Sequence, residues 1–238
     1  MSWSEHNVQL PLAIKVSESA SFENFIGADD FMLDSLRQLA SMDAAAVVYL
    51  WGSTGSGKSH LLQAVCQQLG EAGKSAAYLP LEELVQYPPS MLEGMDALPV
   101  ICIDDLQVIV KNTSWQQGLF HLFNQVHAQG GRLLFSASAS PRELGMELQD
   151  LVSRLEWGPV FHLHMLDDEQ KMNVLKLRAR ERGLELEDEP ARYLLSRFPR
   201  DLNALFEVLD TLDTASMIRQ RRITIPFIRD VFSSQSIL

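Results

Sequence analysis

A glycine-rich segment that ends in lysine and serine carries the most specific chemistry in the sequence. It reads Gly52-Ser53-Thr54-Gly55-Ser56-Gly57-Lys58-Ser59. These residues match the pattern G-x-x-x-x-G-K-S, in which glycines let backbone N–H groups turn inward around a phosphate. Lys58 can reach the β- and γ-phosphates, and the Ser59 hydroxyl can ligate Mg²⁺. The segment therefore predicts a site for a nucleotide and its magnesium ion.

Two consecutive aspartates that follow an apolar run supply a second acidic motif. Residues 100–103 favour a buried strand, and Asp104 and Asp105 come directly after it. At that edge of the sheet a carboxylate can hold Mg²⁺ through water, which is the role predicted for Asp104. Asp105 is predicted to orient an attacking water molecule.

Short apolar runs alternate with helical patterns through the first two thirds of the chain. Such runs are typical of strands buried on both faces of a parallel sheet. They cover residues 47–51, 76–81, 100–103, 132–136 and 160–165. Apolar residues at helical spacing lie between them, over 60–69 and 115–126. The alternation predicts a doubly wound α/β fold with the glycine-rich segment between a strand and a helix.

Beyond the fifth run the strand signals stop and helix signals replace them. Asp167 with Gln170 resembles a capping box, and Gly183 stands where that helix would end. The sequence thus predicts three parts: a flexible tail over 1–20, an α/β nucleotide-binding subdomain over 21–166, and a helical subdomain over 167–238.

Charge and composition restrict the class of protein. The 238 residues include 20 Lys and Arg against 31 Asp and Glu, a formal charge of −11. This acidity argues against direct, non-specific binding to DNA. No apolar run reaches the roughly 18 residues of a membrane span, and the start lacks the order of a signal peptide. Two cysteines, Cys66 and Cys102, each in an apolar run, indicate a reduced, cytoplasmic protein.

Four segments resemble the AAA+ initiator DnaA. They read GKSHLLQA (57–64), IDDLQ (103–107), FHLFNQVH (120–127) and SRLEWG (153–158). The resemblance extends over residues 22–238 and implies an AAA+ P-loop NTPase, with a parallel five-stranded sheet, flanking helices and a small helical lid. Unlike DnaA, the sequence stops at Leu238 without a helix-turn-helix domain. The stretch between the phosphate and acidic motifs is short and carries Pro88-Pro89. Both departures resemble the Hda-like regulators of this family.

Hda-like proteins bind ADP, attach to the DNA polymerase sliding clamp, and stimulate hydrolysis of ATP held by DnaA. The resemblance therefore implies DnaA and the clamp as partners. Residues 9–12, Gln9-Leu10-Pro11-Leu12, are similar to the clamp-binding hexapeptide Q-L-x-L-P-L, although Asn7 and Val8 replace its first two residues. A terminal segment of this kind could become ordered in a groove of the clamp.

The resemblance also assigns roles to single residues. Arg154 matches the arginine finger, which acts on the nucleotide of a neighbouring subunit, and Arg200 matches the lid arginine that senses phosphates. Ser138 stands at the sensor position, where DnaA has aspartate, so low hydrolysis in cis is expected. The nucleotide site is implied to include His60 after the P-loop serine. Phe25 and Ile26 match the segment near the base.

Three functions fit the motifs to different degrees. The first is a regulator whose nucleotide, ADP or ATP, supports assembly while Arg154 acts in trans. The second is a self-sufficient AAA+ ATPase that works as a replication motor or loader, which the intact P-loop and both aspartates permit. The third, a small-molecule kinase, leaves SRLEWG and the tail unexplained. A homo-oligomer is compatible with all of these motifs, since AAA+ sites often lie between subunits.

Overall fold

The sheet has five parallel strands in the order β2-β3-β4-β1-β5. The computed structural model describes residues 20–27, 29–41 and 46–233. The strands are β1 (Val47–Trp51), β2 (Ala76–Pro80), β3 (Val100–Asp104), β4 (Arg132–Ala137) and β5 (Val160–His162). β1 lies between β4 and β5, with Val47 opposite Leu133 and Tyr49 opposite Val160. The parallel five-stranded sheet predicted from the sequence is confirmed.

Helices pack on both faces of the sheet and then form a separate layer at the end of the chain. They are α1 (Asp30–Ser41), α2 (Lys58–Glu71), α3 (Leu81–Leu84), α4 (Thr113–Ala128), α5 (Gln149–Leu155), α6 (Asp168–Glu181), α7 (Asp188–Arg197), α8 (Leu202–Arg219) and α9 (Ile225–Ser233). Residues 89–92 form a short 3₁₀ helix that begins at Pro89, directly after Pro88. Within the described ranges, none of these helices is long and apolar enough to cross a membrane.

The apolar strands separate two hydrophobic cores. Because successive side chains of a strand point to opposite faces, Tyr49 enters one core and Leu50 the other. Both side chains are fully buried. Helices therefore cover the sheet on both sides, and the loops at the carboxyl ends of the strands remain free to form a site.

The fifth strand is shorter than the apolar run predicted. It ends at His162, whereas the run extends to Met165. Its partner β1 ends at Trp51, whose carbonyl accepts the last hydrogen bond of this ladder from the Leu163 N–H at 2.7 Å. Beyond that bond no strand continues alongside in the described part of the chain, and the backbone passes on to α6.

The helices after β5 enclose a third core of their own. Leu175, Leu194, Leu209 and Phe227 are fully buried in it, one from each of α6 to α9. The capping box predicted at Asp167 and Gln170 is present at the start of α6. These helices form the small helical lid that the sequence predicts after the α/β part.

Candidate functional site

A cavity of about 330 Å³ lies where the carboxyl ends of the strands face the lid. Residues from four parts of the chain line it: the segment before α1, the P-loop, the ends of β2 and β3, and the lid. They are Asn24, Phe25, Ile26, Thr54, Gly55, Ser56, Gly57, Lys58, Ser59, His60, Glu82, Asp105, Gln107, Leu166, Val174, Leu202 and Phe206. Most of the residues predicted to hold a nucleotide are thus brought together.

The P-loop requires glycine at its last turn for two reasons. Gly57 precedes α2 with a φ of 91°, a left-handed conformation that residues with a Cβ rarely adopt. A Cβ atom at Gly57 would also lie 2.5 Å from Cε2 of Phe25. The glycine therefore allows the loop to turn and the Phe25 ring to approach its backbone closely.

Lys58 lies almost completely buried within the loop that it follows. Its Nζ donates hydrogen bonds to the carbonyl oxygens of Gly52 at 2.9 Å and Ser53 at 3.0 Å. Burial lowers the pKa of Lys58, and the charges of Asp105 and Asp104 oppose that change. A phosphate anion beside Nζ would favour the charged form further.

One side chain of the P-loop has a buried polar atom without a partner. Ser56 is 3% exposed, and its Oγ makes no hydrogen bond within the described part of the chain. Buried hydroxyl groups are nearly always hydrogen-bonded, so an orphaned one at a concave surface indicates a missing partner. A phosphate oxygen would supply that partner, and the cradle therefore fits the group that its sequence pattern predicts.

Asp104 is fixed at the end of β3 by two hydroxyl groups. One carboxylate oxygen accepts a hydrogen bond from Tyr78 Oη at 2.6 Å, and the other accepts one from Ser136 Oγ. Burial and the adjacent Asp104 raise the pKa of Tyr78, so its hydroxyl remains the proton donor. Carboxylate oxygens have further lone pairs, so Asp104 could still hold a magnesium-bound water. Sequence reasoning missed both hydroxyls, although serine within the apolar run of β4 was a usable signal.

Asp105 adopts a strained backbone conformation at the edge of the cavity. Its φ of 62° lies in the left-handed region, and its N–H donates to Ser136 Oγ at 3.0 Å. Its Oδ1 accepts a hydrogen bond from Gln107 Nε2 at 2.8 Å. Burial, followed by the charge of Asp104, raises the pKa of Asp105.

The raised pKa of Asp105 predicts that its charge opposes folding. Its folded-state pKa exceeds the ordinary 3.8, so the folded state binds more protons and its stability falls as pH rises through that window. We expect Asp105→Asn, without nucleotide, to unfold at a higher temperature than the parent at pH 7. The difference should shrink as pH falls towards 3.8, measured by thermal unfolding followed by circular dichroism.

The control for this measurement is Glu93→Gln, which removes an exposed carboxylate away from the cavity. It should leave the melting temperature within experimental error. Identical pH profiles for the parent and Asp105→Asn would contradict the expected charge effect.

Apolar side chains and one histidine also line the cavity. Phe25 and Ile26 line it, and the rings of Phe25 and His60 lie 5.7 Å apart between centroids. Nε2 of His60 lies 2.8 Å from the carbonyl oxygen of Ser21. Burial lowers the pKa of His60, which favours the neutral ring at pH 7. Both residues predicted to lie near the base are therefore placed beside an apolar pocket.

Ser138 and Arg200 are among the predicted site residues that lie outside the described lining of the cavity. Ser138, just after β4, donates its backbone N–H to Gln107 Oε1 at 3.0 Å, so Gln107 links it to Asp105. Arg200 lies before α8, where its guanidinium contacts the carboxylate of Asp168 at 3.2 Å. Their predicted roles in sensing phosphates remain predictions.

Arg154 lies in the last turn of α5, on a surface separate from the cavity lining. Its guanidinium carbon is 4.0 Å from the ring centroid of Trp157 and 5.8 Å from that of Phe120. Its Nε donates to Oδ1 of Asn124 at 3.3 Å. In the described ranges no carboxylate pairs with Arg154, which is therefore held by aromatic rings and an amide. The predicted clamp-binding residues 9–12 lie outside the described residues.

The parallel sheet, the P-loop between β1 and α2, the acid at the end of β3 and the helical lid define an AAA+ P-loop protein. The chain belongs to the DnaA-related family of these proteins, with a lid of the Hda type. The family model of the bacterial DnaA ATPase domain matches residues 16–162, and that of the Hda lid domain matches residues 168–232. An uncharacterized protein of Haemophilus influenzae is 42% identical over 229 residues, 95% of this chain and 99% of that protein.

Solved structures share the fold at lower sequence identity. Domain III of the Thermotoga maritima initiator DnaA superposes with a TM-score of 0.77 at 22% identity, covering 92% of this chain and 98% of that one. DnaA bound to AMPPCP and single-stranded DNA superposes with a TM-score of 0.69 at 21% identity, covering 87% of this chain and 69% of that one. The Holliday junction branch migration motor RuvB of Thermotoga maritima superposes with a TM-score of 0.68 at 15% identity, covering 92% of this chain and 73% of that one.

Proposed function

We propose that the protein binds ADP or ATP in this cavity and regulates replication initiation by stimulating hydrolysis of the ATP held by DnaA. In this proposal it acts while attached to the sliding clamp, and Arg154 is supplied in trans. The observation that carries the proposal is the separation of two features. The P-loop lines one cavity, whereas Arg154, which matches the arginine finger of the family, lies outside that lining.

The first step, nucleotide binding, rests on the P-loop geometry. Lys58 is already directed to the cradle by its bonds to Gly52 and Ser53, and Ser56 Oγ lacks a partner among the described atoms. The cavity is lined both by polar groups of the P-loop and by the rings of Phe25 and Phe206, and a nucleoside diphosphate needs both kinds of surface. A related DnaA structure binds the nucleotide analogue AMPPCP, which supports the same use of the cavity here.

Magnesium would be held by the Ser59 hydroxyl and, through water, by Asp104. When bound, the ion would neutralise negative charge on the phosphates. Tyr78 and Ser136 hold the Asp104 carboxylate in a single orientation, which favours contact through water.

The second step places Arg154 at the nucleotide of a partner. A guanidinium remains charged at all physiological pH values and binds phosphate through several parallel donors. Stacking on Trp157 leaves its terminal nitrogens without a carboxylate partner in the described ranges. An arginine held in this way is available to a phosphate that another subunit brings to it.

Low hydrolysis by the protein alone follows from the residues near Asp105. Ser138 carries no charge, and its backbone is joined through Gln107 to the Asp105 carboxylate that would orient water. The alternative, a self-sufficient ATPase working as a motor or loader, is favoured by the presence of both Asp104 and Asp105 at the end of β3.

The deciding experiment adds the full chain, ADP and DNA-loaded sliding clamp to DnaA carrying radiolabelled ATP, and measures the ADP produced. We expect acceleration that requires the clamp and is lost when residues 1–14 are deleted, since residues 9–12 resemble a clamp-binding motif. Because the deletion leaves the P-loop intact, it should still bind ADP. Vigorous ATP turnover by the protein alone, with no effect on DnaA, would support the motor instead.

A further inference from the structure

A groove of about 930 Å³ lies on the lid, where it is lined by α7, by Phe198 and by α9. Among the described residues it shares no lining residue with the cavity beside the P-loop. The rings of Phe198 and Phe232 meet edge to face in it, with centroids 4.7 Å apart. Tyr193 also lines it, and its ring centroid is 5.4 Å from the guanidinium carbon of Arg229. This lid groove therefore offers an aromatic surface to another molecule.

Two arginines give the lid groove a positive charge. Arg197 and Arg229 both line it, and both are exposed. In the described part of the chain neither forms a salt bridge, although most other arginines of the lid do, as Arg182 does with Asp210. Carboxylates are plentiful, since the chain has 31 acidic residues against 20 basic ones. Two guanidinium groups without carboxylates at one aromatic groove indicate an acidic occupant.

The chain itself carries a complementary surface at the start of α1. Phe31 is 68% exposed, more than any other Phe, Tyr or Trp in the described ranges. Asp29 and Asp30 precede it, and Asp34, three residues later, lies on the same side of the helix. Asp34 pairs with the exposed Arg37, whereas Asp29 and Asp30 have no cation partner among the described residues. An exposed ring beside carboxylates matches an aromatic groove beside guanidinium groups in both shape and charge.

Other exposed apolar side chains match the lid groove less well. Met217 and Ile218 directly precede Arg219 in α8, so they would bring positive charge to a positive groove. Trp157 already stacks with a guanidinium group of its own chain. Phe31, with its acidic neighbours, is therefore the better match.

We propose that the protein associates with copies of itself, and that Phe31 of one copy inserts into the lid groove of the next. Asp30 and Asp34 would then lie beside Arg197 and Arg229. Because the two surfaces come from different parts of the chain, the contact is heterologous. A pair of copies keeps one lid groove and one Phe31 open, so further copies add head to tail.

Sedimentation velocity of the full chain over a range of concentrations tests this contact. We expect reversible association with a Kd of about 10–100 µM, because one aromatic anchor and a few exposed charge pairs make a small interface. The buffer contains about 0.15 M salt, whose Debye length of about 8 Å screens the repulsion between chains of charge −11. No nucleotide is added, so the result does not depend on the proposed function.

Two variants each remove one side of the contact. Phe31→Ser removes the inserted ring, and Arg197→Glu with Arg229→Glu places like charges opposite the aspartates. Each variant alone should weaken self-association at least about tenfold. The matched control is Arg180→Glu with Arg222→Glu, at exposed lid positions outside the groove lining, which changes the net charge equally and should associate like the parent. Circular dichroism establishes that each variant is folded.

Mixing the two variants tests the head-to-tail geometry. The Phe31→Ser chain keeps its lid groove and the double variant keeps Phe31, so an equimolar mixture should form dimers that grow no further. A mixture that stays monomeric would overturn the inference. So would parent-like association of both variants, since another surface would then join the copies. A parent that is monomeric far above the expected Kd would also overturn it and would leave the groove to an acidic segment of a different protein.

Discussion

Replacing Arg154 with alanine should abolish the stimulation of DnaA-bound ATP hydrolysis. An arginine supplied in trans contributes about 10³-fold or more to phosphoryl transfer, because its charge stabilises the transition state. Arg154 is outside the lining of the protein's own cavity, so ADP binding by the variant should match the parent. The measurement is the rate at which DnaA-bound ATP is converted to ADP in the presence of loaded clamp, beside an ADP titration of the variant.

Two further substitutions sharpen this test. Arg142→Ala removes an arginine whose side chain is 79% exposed and paired with Glu156, and it should keep nearly full stimulation. Arg154→Lys retains a positive charge but loses the planar group that stacks on Trp157, so most of the stimulation should be lost. Full stimulation by Arg154→Ala would exclude the finger role.

Replacing Lys58 with methionine should weaken ADP binding by about a hundredfold or more, because a charged donor to the phosphates is lost. The same change should not lower the stability of the nucleotide-free protein. Burial already disfavours the charge of Lys58, and methionine fills a similar volume without it. Together, the two effects would show that Lys58 contributes to ligand binding and not to the stability of the fold.

Thermal unfolding with and without ADP measures both effects in one experiment. A ligand that binds the folded state raises the melting temperature as its concentration exceeds its Kd, so ADP should stabilise the parent and leave Lys58→Met nearly unchanged. Lys74→Met, at an exposed position after α2, should respond to ADP like the parent. A normal ADP-induced shift in Lys58→Met would remove the lysine from the site.

The sequence predicts best those parts of the site whose functional residues are neighbours along the chain. The eight residues of the P-loop specify their own turn, and a strand that ends in two aspartates places them at a known edge. Hydrogen-bond partners that come from other strands are harder to predict, because they depend on the order of the strands in the sheet. Tyr78 and Ser136 reach Asp104 since β2 and β4 lie on either side of β3, and no local pattern reveals that order.

Side-chain direction limits the prediction in the same way. The family resemblance predicts a phosphate-sensing role for Arg200, and in the structure its guanidinium contacts Asp168, which is 32 residues earlier in the chain. Arg154 owes its orientation to Trp157, three residues away, and to Phe120 and Asn124 on α4. Such orientations depend on tertiary neighbours, so the sequence supplies the residue type while the fold decides where it points.

The cavity is lined by residues of both the α/β part and the lid, so ligand binding and the packing of these two parts are coupled. Val174 on α6 and Leu202 and Phe206 on α8 line the cavity, and Leu202 belongs to the lid core. A ligand there would touch Leu202 of the lid core and Phe25, which packs against one of the two cores of the sheet. Part of its binding free energy then stabilises the packing of the lid on the α/β part. Nucleotide binding would therefore stabilise the packing of the lid against the α/β part. In return, a partner that contacts the lid would change the affinity of the protein for the nucleotide.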